Sequence, residues 1–395
     1  MAALPASTLP LSRACAWALL VGGWIGIGSL ALQLAPSAWL AFGLVAAWLV
    51  GLGAAARLGT RRGMPSSVRA VALVAATGAT AASLLAAVEG GGVVALLVAI
   101  VGWAAMTALA SGVVRGLRLA RSTAPAPPVA AATVGALAAA AAIGDPGQFA
   151  ALGERLALFV GAGGLLLLVL QRGIVDSPRG AGCRAGLFDC SLPAWPPGAW
   201  GEPQQWPALF AGLGMLPMMA ALPLMAEWCR ARSVPPQALV VLHVASMFVP
   251  ALLARRAIAV ATPRALAVAC TVLLVAGAAC AVRWAAPFDL LAPAALQGAA
   301  WGMAWSGQLW SPTRRARQGA SPLRAAIGYA ACTLAYGAIV DRFGPAGIVG
   351  VHVALAVAAS CAWVLVAIAV AARRGARAGD RPTAPDAPIM PPPGA

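Results

Sequence analysis

A chain of 395 residues that is 61% hydrophobic and only 10% charged, with mean hydropathy +0.86, is no soluble domain. Its net charge of +16 comes from arginine alone, spread through short loops, which excludes a nucleic-acid-binding face and marks membrane topology instead. Ten-residue segments of alternating polarity are missing, which excludes an outer-membrane barrel.

Apolar runs of roughly 20 residues, enough to cross a bilayer as a helix, recur along the chain. Twelve spans are expected, at 14–34, 37–56, 70–88, 92–113, 127–143, 153–171, 206–227, 238–254, 265–283, 290–310, 323–340 and 347–371. The first, Cys15 to Gln33, is followed at once by others and reads as a retained signal anchor, not a cleaved leader. With the N-terminus inside, 22 arginines fall on the inner side and 5 (Arg155, Arg230, Arg232, Arg283 and Arg342) on the outer side. That bias places both termini in the cytoplasm.

The longest polar interruption contains Pro193, Pro196, Pro197 and Pro203. It reads as a cytoplasmic linker, 171–205, joining an N-terminal six-helix half at 1–170 to a C-terminal half at 206–372. The Pro/Ala-rich residues 373–395 read as a disordered cytoplasmic tail. The expected fold class is therefore all-α and integral to the membrane, with twelve transmembrane helices in two six-helix halves. This organisation resembles the major facilitator superfamily, which implies a substrate site near the midplane between the halves. The loop Ala56-Arg57-Leu58-Gly59-Thr60-Arg61-Arg62 resembles that superfamily's Asp-Arg-x-Gly-Arg-Lys loop, but Ala56 stands where the acid is usual.

The seventh and eighth spans carry the most distinctive chemistry. Met215-x-x-x-Met219 and His243-x-x-x-Met247 each place two donors on one helical face. On the expected topology Met219 lies roughly 12 Å below the outer surface and Met215 roughly 18 Å. His243 lies roughly 7–8 Å down and Met247 roughly 13 Å. Five of the ten methionines (215, 218, 219, 225 and 247) fall within residues 215–247. Pro217, Pro223 and Pro250 are positioned to kink these spans around a cavity. Methionine in apolar helices ordinarily fills gaps in packing. Three thioethers with one imidazole, however, form a soft donor set suited to Cu(I) and unsuited to Mg²⁺ or Ca²⁺. A neutral set leaves a monovalent ion its charge, so binding is modest and release remains open.

Met-x-x-x-Met followed by His-x-x-x-Met at this separation resembles the CcoA-type copper transporters of the major facilitator superfamily. The resemblance rests on residues 207–256. It implies copper uptake across the bacterial inner membrane, supplying assembly of cbb3-type cytochrome c oxidase. It makes Met215, Met219, His243 and Met247 the metal ligands, with copper as transported substrate and no required cofactor. The implied partners are the copper ion, the lipid bilayer and oxidase assembly factors. Transport of a small organic solute such as riboflavin, or a non-transporting assembly or sensing role, are the alternatives.

Cys229 stands at the mouth of the seventh span, where a thiol could pass copper on. Gln297, Trp301, Trp305 and Gln308 recur at helical spacing in the tenth span and are candidate cavity-lining residues. His352, early in the twelfth, is a candidate proton site or second ligand. Cys183 and Cys190 in the central loop are too far apart for a tight metal pair. Gly22, Gly23, Gly26 and Gly28, and the Gly161–Gly164 run, predict close helix approach. Carboxylates fall near outer span ends, so the usual proton-coupling acid is missing. No nucleophile–base pair or hydrolytic metal motif appears, which points away from an enzyme.

Overall fold

Backbone amides have no water to bond inside a bilayer, so an apolar chain must satisfy them internally, as helix. The computed structural model describes residues 8–61, 65–119, 128–145, 148–172, 210, 224–283, 287–310, 322–344 and 346–379. Among these residues there is no strand. The described helices are α1 (Thr8–Leu34), α2 (Ala38–Arg61), α3 (Ser66–Ala86), α4 (Gly92–Leu119), α5 (Pro128–Ile143), α6 (Phe149–Gln171), α7 (Ala226–Ala231), α8 (Pro236–Leu253), α9 (Arg255–Val260), α10 (Pro263–Arg283), α11 (Pro287–Trp310), α12 (Pro322–Phe343) and α13 (Ala346–Gly379).

Among the described residues, seven stretches are long and apolar enough to cross a membrane. The longest, Ser66–Val114, contains a reversal. A π turn at Ala87–Gly91 with Gly90 at φ 121° and Gly92 at φ 52° folds α4 back on α3, a geometry that only glycine adopts without strain. Thr77 of α3 then meets Met106 Sδ of α4 at 3.4 Å. Helices stand at each expected span except the seventh, of which residues 211–223 lie outside the described set. So do the linker beyond Arg172 and the tail from residue 380. One boundary differs: α13 continues to Gly379, past residue 372, because the Ala/Arg-rich sequence there favours helix.

Helix α1 is buried on all sides, from Ser12 through Ala31, which fits a helix apolar all round and central to its bundle. It packs against α2, α4, α5 and α6. The glycines make this possible. A Cβ on Gly23 would strike Trp48 and Trp103 at 2.8–2.9 Å, and one on Gly22 would strike Phe159 at 2.6 Å. On α5, a Cβ at Gly135 would enter the backbone of Ala14 on α1. Trp103 Nε1 donates to the Leu19 carbonyl at 2.9 Å, so this buried indole is satisfied across the interface. The peripheral helices expose valine and leucine, including Val71, Val94, Val101, Leu158, Val272 and Ile368, an outer surface suited to lipid rather than water. The chain is a multi-pass membrane protein.

Two seams join α1–α6 to the helices that follow: α2 against α12, and α5 against α8. Each is fastened at the same end of the bundle. Both Asp341 carboxylate oxygens accept backbone N–H bonds at the start of α2, from Ala38 at 2.7 Å and Trp39 at 2.9 Å. The carboxylate thus fills the role of an N-cap supplied from another helix. At the α5–α8 seam, Asp145 faces Arg230 at 4.0 Å and Gln237 Nε2 donates to the Ala141 carbonyl at 3.5 Å. Both α5 and α12 end in a left-handed glycine, Gly144 at φ 67° and Gly344 at φ 62°, which closes the helix and lets the chain turn.

Loss of this cap should be measurable. Asp341→Ala is expected to lower the melting temperature of the purified protein by about 1–3 °C. Asp341→Asn, which keeps one acceptor oxygen, should lose less. Identical melting of the wild type and both variants would contradict the cap.

Candidate functional site

Helix α8 begins with Pro236, which is tolerated in the first turn because its missing N–H would have no partner there. Its buried stripe is Leu239, Val240, His243, Val244, Met247, Phe248 and Ala251. His243 is 0% and Met247 1% exposed, one turn apart on this inward face, as their spacing predicts. Pro250 removes one backbone donor from the following turn, and the helix ends at Leu253.

Helix α11 comes unusually close to α8, and the cause is Gly298-x-x-x-Gly302. A Cβ at Gly298 would collide with Ser246 Oγ and with the His243 carbonyl, and one at Gly302 with the Met247 carbonyl. With only hydrogen at both positions, the two backbones pack in direct contact. That approach brings the Ala294 carbonyl within 2.7 Å of His243 Nδ1. A carbonyl only accepts, so Nδ1 carries the proton and Nε2 carries the lone pair. Nε2 is buried with no hydrogen-bond partner. A backbone carbonyl that fixes the tautomer and leaves the other ring nitrogen its lone pair is a feature that metal-ligating imidazoles share. Ser246 Oγ donates to the His243 carbonyl at 2.7 Å, which steadies the same turn.

The other expected site residues are distributed as follows. Met215 and Met219 lie outside the described residues, so the structure brings together His243 and Met247 of the four. Among the described residues, no cluster of three or more His, Cys, Asp or Glu could hold a metal ion. Cys229 sits in the short helix α7, completely buried. Burial pushes its thiol above the usual range, while Arg230 and Arg232 pull it down. Its sulfur is thus enclosed rather than presented at an open mouth.

Gln297, Trp301 and Trp305 are 2%, 1% and 1% exposed. Trp301 and Trp305 stack with centroids 5.5 Å apart and planes 8° from parallel. Phe248 of α8 meets both edge-on at 5.6 Å, and Trp17 of α1 meets Phe248 at 5.5 Å and Trp305 at 5.3 Å. Four rings from three helices therefore form one plug below His243. Trp301 Nε1 inside it has no hydrogen-bond partner. The participation of Trp17 and Phe248 was not legible in the sequence. Each is a single aromatic residue in an apolar span, and only the packing of α1 on α8 and α11 selects them. The small-residue pair Gly298 and Gly302 did carry a signal, a four-residue glycine repeat of the kind that marks close helix approach.

The close approach depends on the missing side chains. Gly302→Val is expected to force α11 off α8, with a core overpacking cost of about 1–3 kcal/mol. Purified protein should show lower monodisperse yield and an earlier melting transition than wild type, whereas Gly161→Val, where a Cβ meets open space, should change neither. Equal behaviour of the two variants would contradict the contact.

No protein-family model matches the sequence, and no curated protein matches it either. Solved structures do. The nucleoside transporter NupG superposes with a TM-score of 0.59 at 15% identity, covering 91% of this chain and 98% of that one. The xylose transporter XylE from E. coli superposes with a TM-score of 0.60 at 14% identity, covering 91% and 99%. A bacterial homologue of the human lysosomal transporter Spinster gives 0.57 at 15% identity, covering 90% and 94%. Similarity this extensive at such low identity is a likeness of fold: the chain is an all-helical membrane protein with the fold of major facilitator superfamily transporters.

Proposed function

We propose that the chain is a twelve-span secondary transporter of the bacterial inner membrane. On this reading two six-helix halves are joined by a cytoplasmic linker, both termini lie in the cytoplasm, and copper is imported by alternating access for cuproenzyme assembly. The observation that carries the copper reading is His243. Its Nδ1 is tied to the Ala294 carbonyl, and its buried Nε2 lone pair has a thioether one turn away. Met215 and Met219 complete the proposed donor set from the preceding span. Two thioethers, a third from Met247 and one imidazole favour Cu(I) over hard divalent ions. All four ligands are neutral, so a bound ion keeps its charge, and release demands no proton from the ligands.

The seams supply the moving parts. Asp145, Arg230 and Asp341 hold one end of the seams, and the aromatic plug lies further along α8. The arginine distribution makes the Asp341 end the outer one. Opening to the outside then requires the start of α2 to leave Asp341 and Arg230 to leave Asp145. Opening to the inside requires Trp17 to leave Phe248 and Trp305. Both are separations between α1–α6 and the helices that follow, as alternating access between repeats requires.

A second reading is favoured by the plug itself. Stacked indoles with an unpartnered Trp301 Nε1 would suit a flat organic solute, and solved structures of this fold include nucleoside and xylose transporters. The two readings separate in one assay. Radiocopper accumulation is measured in cells expressing wild type, Met219→Ala, His243→Ala and Trp301→Ala at matched membrane levels. The copper reading expects at least about a tenfold loss for the first two variants. Wild-type uptake in both, or loss only with Trp301→Ala, would overturn it.

A further inference from the structure

Helices α2 and α12 pack side by side in opposite directions. Phe42 meets Tyr336 edge-on at 5.4 Å, and a Cβ on Gly337 would strike Phe42 at 2.7 Å. Further along α2, Gly43 lies against Leu334, so residue numbers rise on one helix as they fall on the other. Both helices advance by the same step per residue. The pairing of Ala38 with Asp341 therefore carries through to the far end, where Arg57 of α2 comes level with Pro322, the first residue of α12.

The two ends of this pair differ in charge. The backbone dipoles of antiparallel helices oppose each other equally at both ends, so the difference lies in the residues. Between them the two helices carry one carboxylate, Asp341. At its end, α2 holds its own first turn with Ser37, whose Oγ accepts from the Leu40 amide at 3.2 Å. The Ala38 and Trp39 amides are left over, and Asp341 accepts from both, at 2.7 and 2.9 Å. One helix thus completes the first turn of the other, with a charged acceptor at the positive end of the α2 dipole. Arg342, beside it in sequence, is exposed. At the opposite end α2 carries Arg57 and Arg61, and the first turn of α12 carries Arg324. Both helices bring cations to that end, and neither brings an acid. Like charges at one level repel, and a cation is unfavourable at a helix N-terminus.

We propose that this pair sets the resting state of the transporter. The Asp341 end is latched shut and the arginine end is left to part, so the protein without cargo rests closed at the first and open at the second. On the orientation proposed above, that state is inward-facing. The inference rests on the alternating-access reading and holds for any cargo. Both latch bonds lie at an exposed helix end, where water replaces them on opening. One such carboxylate shifts a two-state balance by about tenfold.

Hydrogen–deuterium exchange read by mass spectrometry tests the latch, on the full-length chain in lipid nanodiscs without copper or any solute. Ser37→Ala removes the cap that α2 supplies to itself and leaves the seam bonds, so exchange should rise only at residues 38–42. Asp341→Ala should raise exchange there and several-fold at the separate α5–α8 seam, at the end of α5 and the start of α8. Exchange should fall at the arginine ends of α2 and α12. Arg57→Asp, which sets an acid level with the start of α12, should reproduce the remote pattern with Asp341 intact. The proposal requires the remote change in both. If Arg57→Asp moves the remote amides and Asp341→Ala does not, the latch is wrong and alternating access stands. If neither moves them, both fail. Should Asp341→Ala not fold, Arg57→Asp decides alone. Phe343, 65% exposed beside the latch, reports orientation separately. Labelling of Phe343→Cys by a membrane-impermeant maleimide in inside-out vesicles and not in spheroplasts would overturn the inward-facing assignment.

Discussion

The contact between α8 and α11 is the constraint on which the candidate site depends. Between membrane helices there is no hydrophobic driving force of the kind that packs soluble cores, so approach distance is set by side-chain size and interhelical hydrogen bonds. Gly298 and Gly302 remove side chains where the Ser246 hydroxyl and the backbone of His243 and Met247 press in. The Ala294 carbonyl then reaches His243 Nδ1. Two hydrogens in place of two methyl groups thus decide which imidazole nitrogen holds a proton. On the copper reading proposed above, ligand competence is a consequence of helix spacing rather than of a separate polar network.

The same logic organises the rest of the bundle. Helix α1 is glycine-rich where Trp48, Trp103, Leu156 and Phe159 converge on it. The α2–α12 seam uses the same device: a Cβ on Gly337 would strike Phe42 at 2.7 Å and the Trp39 backbone at 3.1 Å, and Phe42 meets Tyr336 edge-on at 5.4 Å. The polar contacts at the ends of the two seams are a carboxylate cap, a long ion pair at 4.0 Å and a 3.5 Å amide bond. Edge-to-face rings such as those of the aromatic plug contribute only about 0.5–1.5 kcal/mol per pair beyond their burial.

Much of this was legible in the sequence because a bilayer demands it. Hydrophobic length located the described helices, most of which begin and end within a few residues of an expected span, even α5, whose 16 residues are short for a membrane crossing. The i, i+4 spacing of His243 and Met247 placed both on one face, and both are buried there. Glycine clusters foretold close approach at Gly22, Gly23 and Gly26. What the sequence could not show was pairing between distant elements. Nothing in residues 335–345 announces that Asp341 caps a helix three hundred residues earlier. Trp17 has no periodic partner until α8 and α11 close around it. Gln297, Trp301 and Trp305 are buried, and both indoles pack against Phe248 of α8, a partner that helical spacing within one span does not reveal.

The central claim is that His243, held by Ala294 through the α8–α11 contact, offers a nitrogen lone pair to a transported copper ion. It is tested most directly by purified protein in proteoliposomes loaded with a Cu(I) chelator, with copper flux followed after adding reduced copper outside. The account predicts saturable copper entry in wild-type vesicles and background entry with His243→Ala of equal stability, with xylose and nucleosides failing to compete. Background copper entry through stable, correctly reconstituted wild-type protein would contradict it.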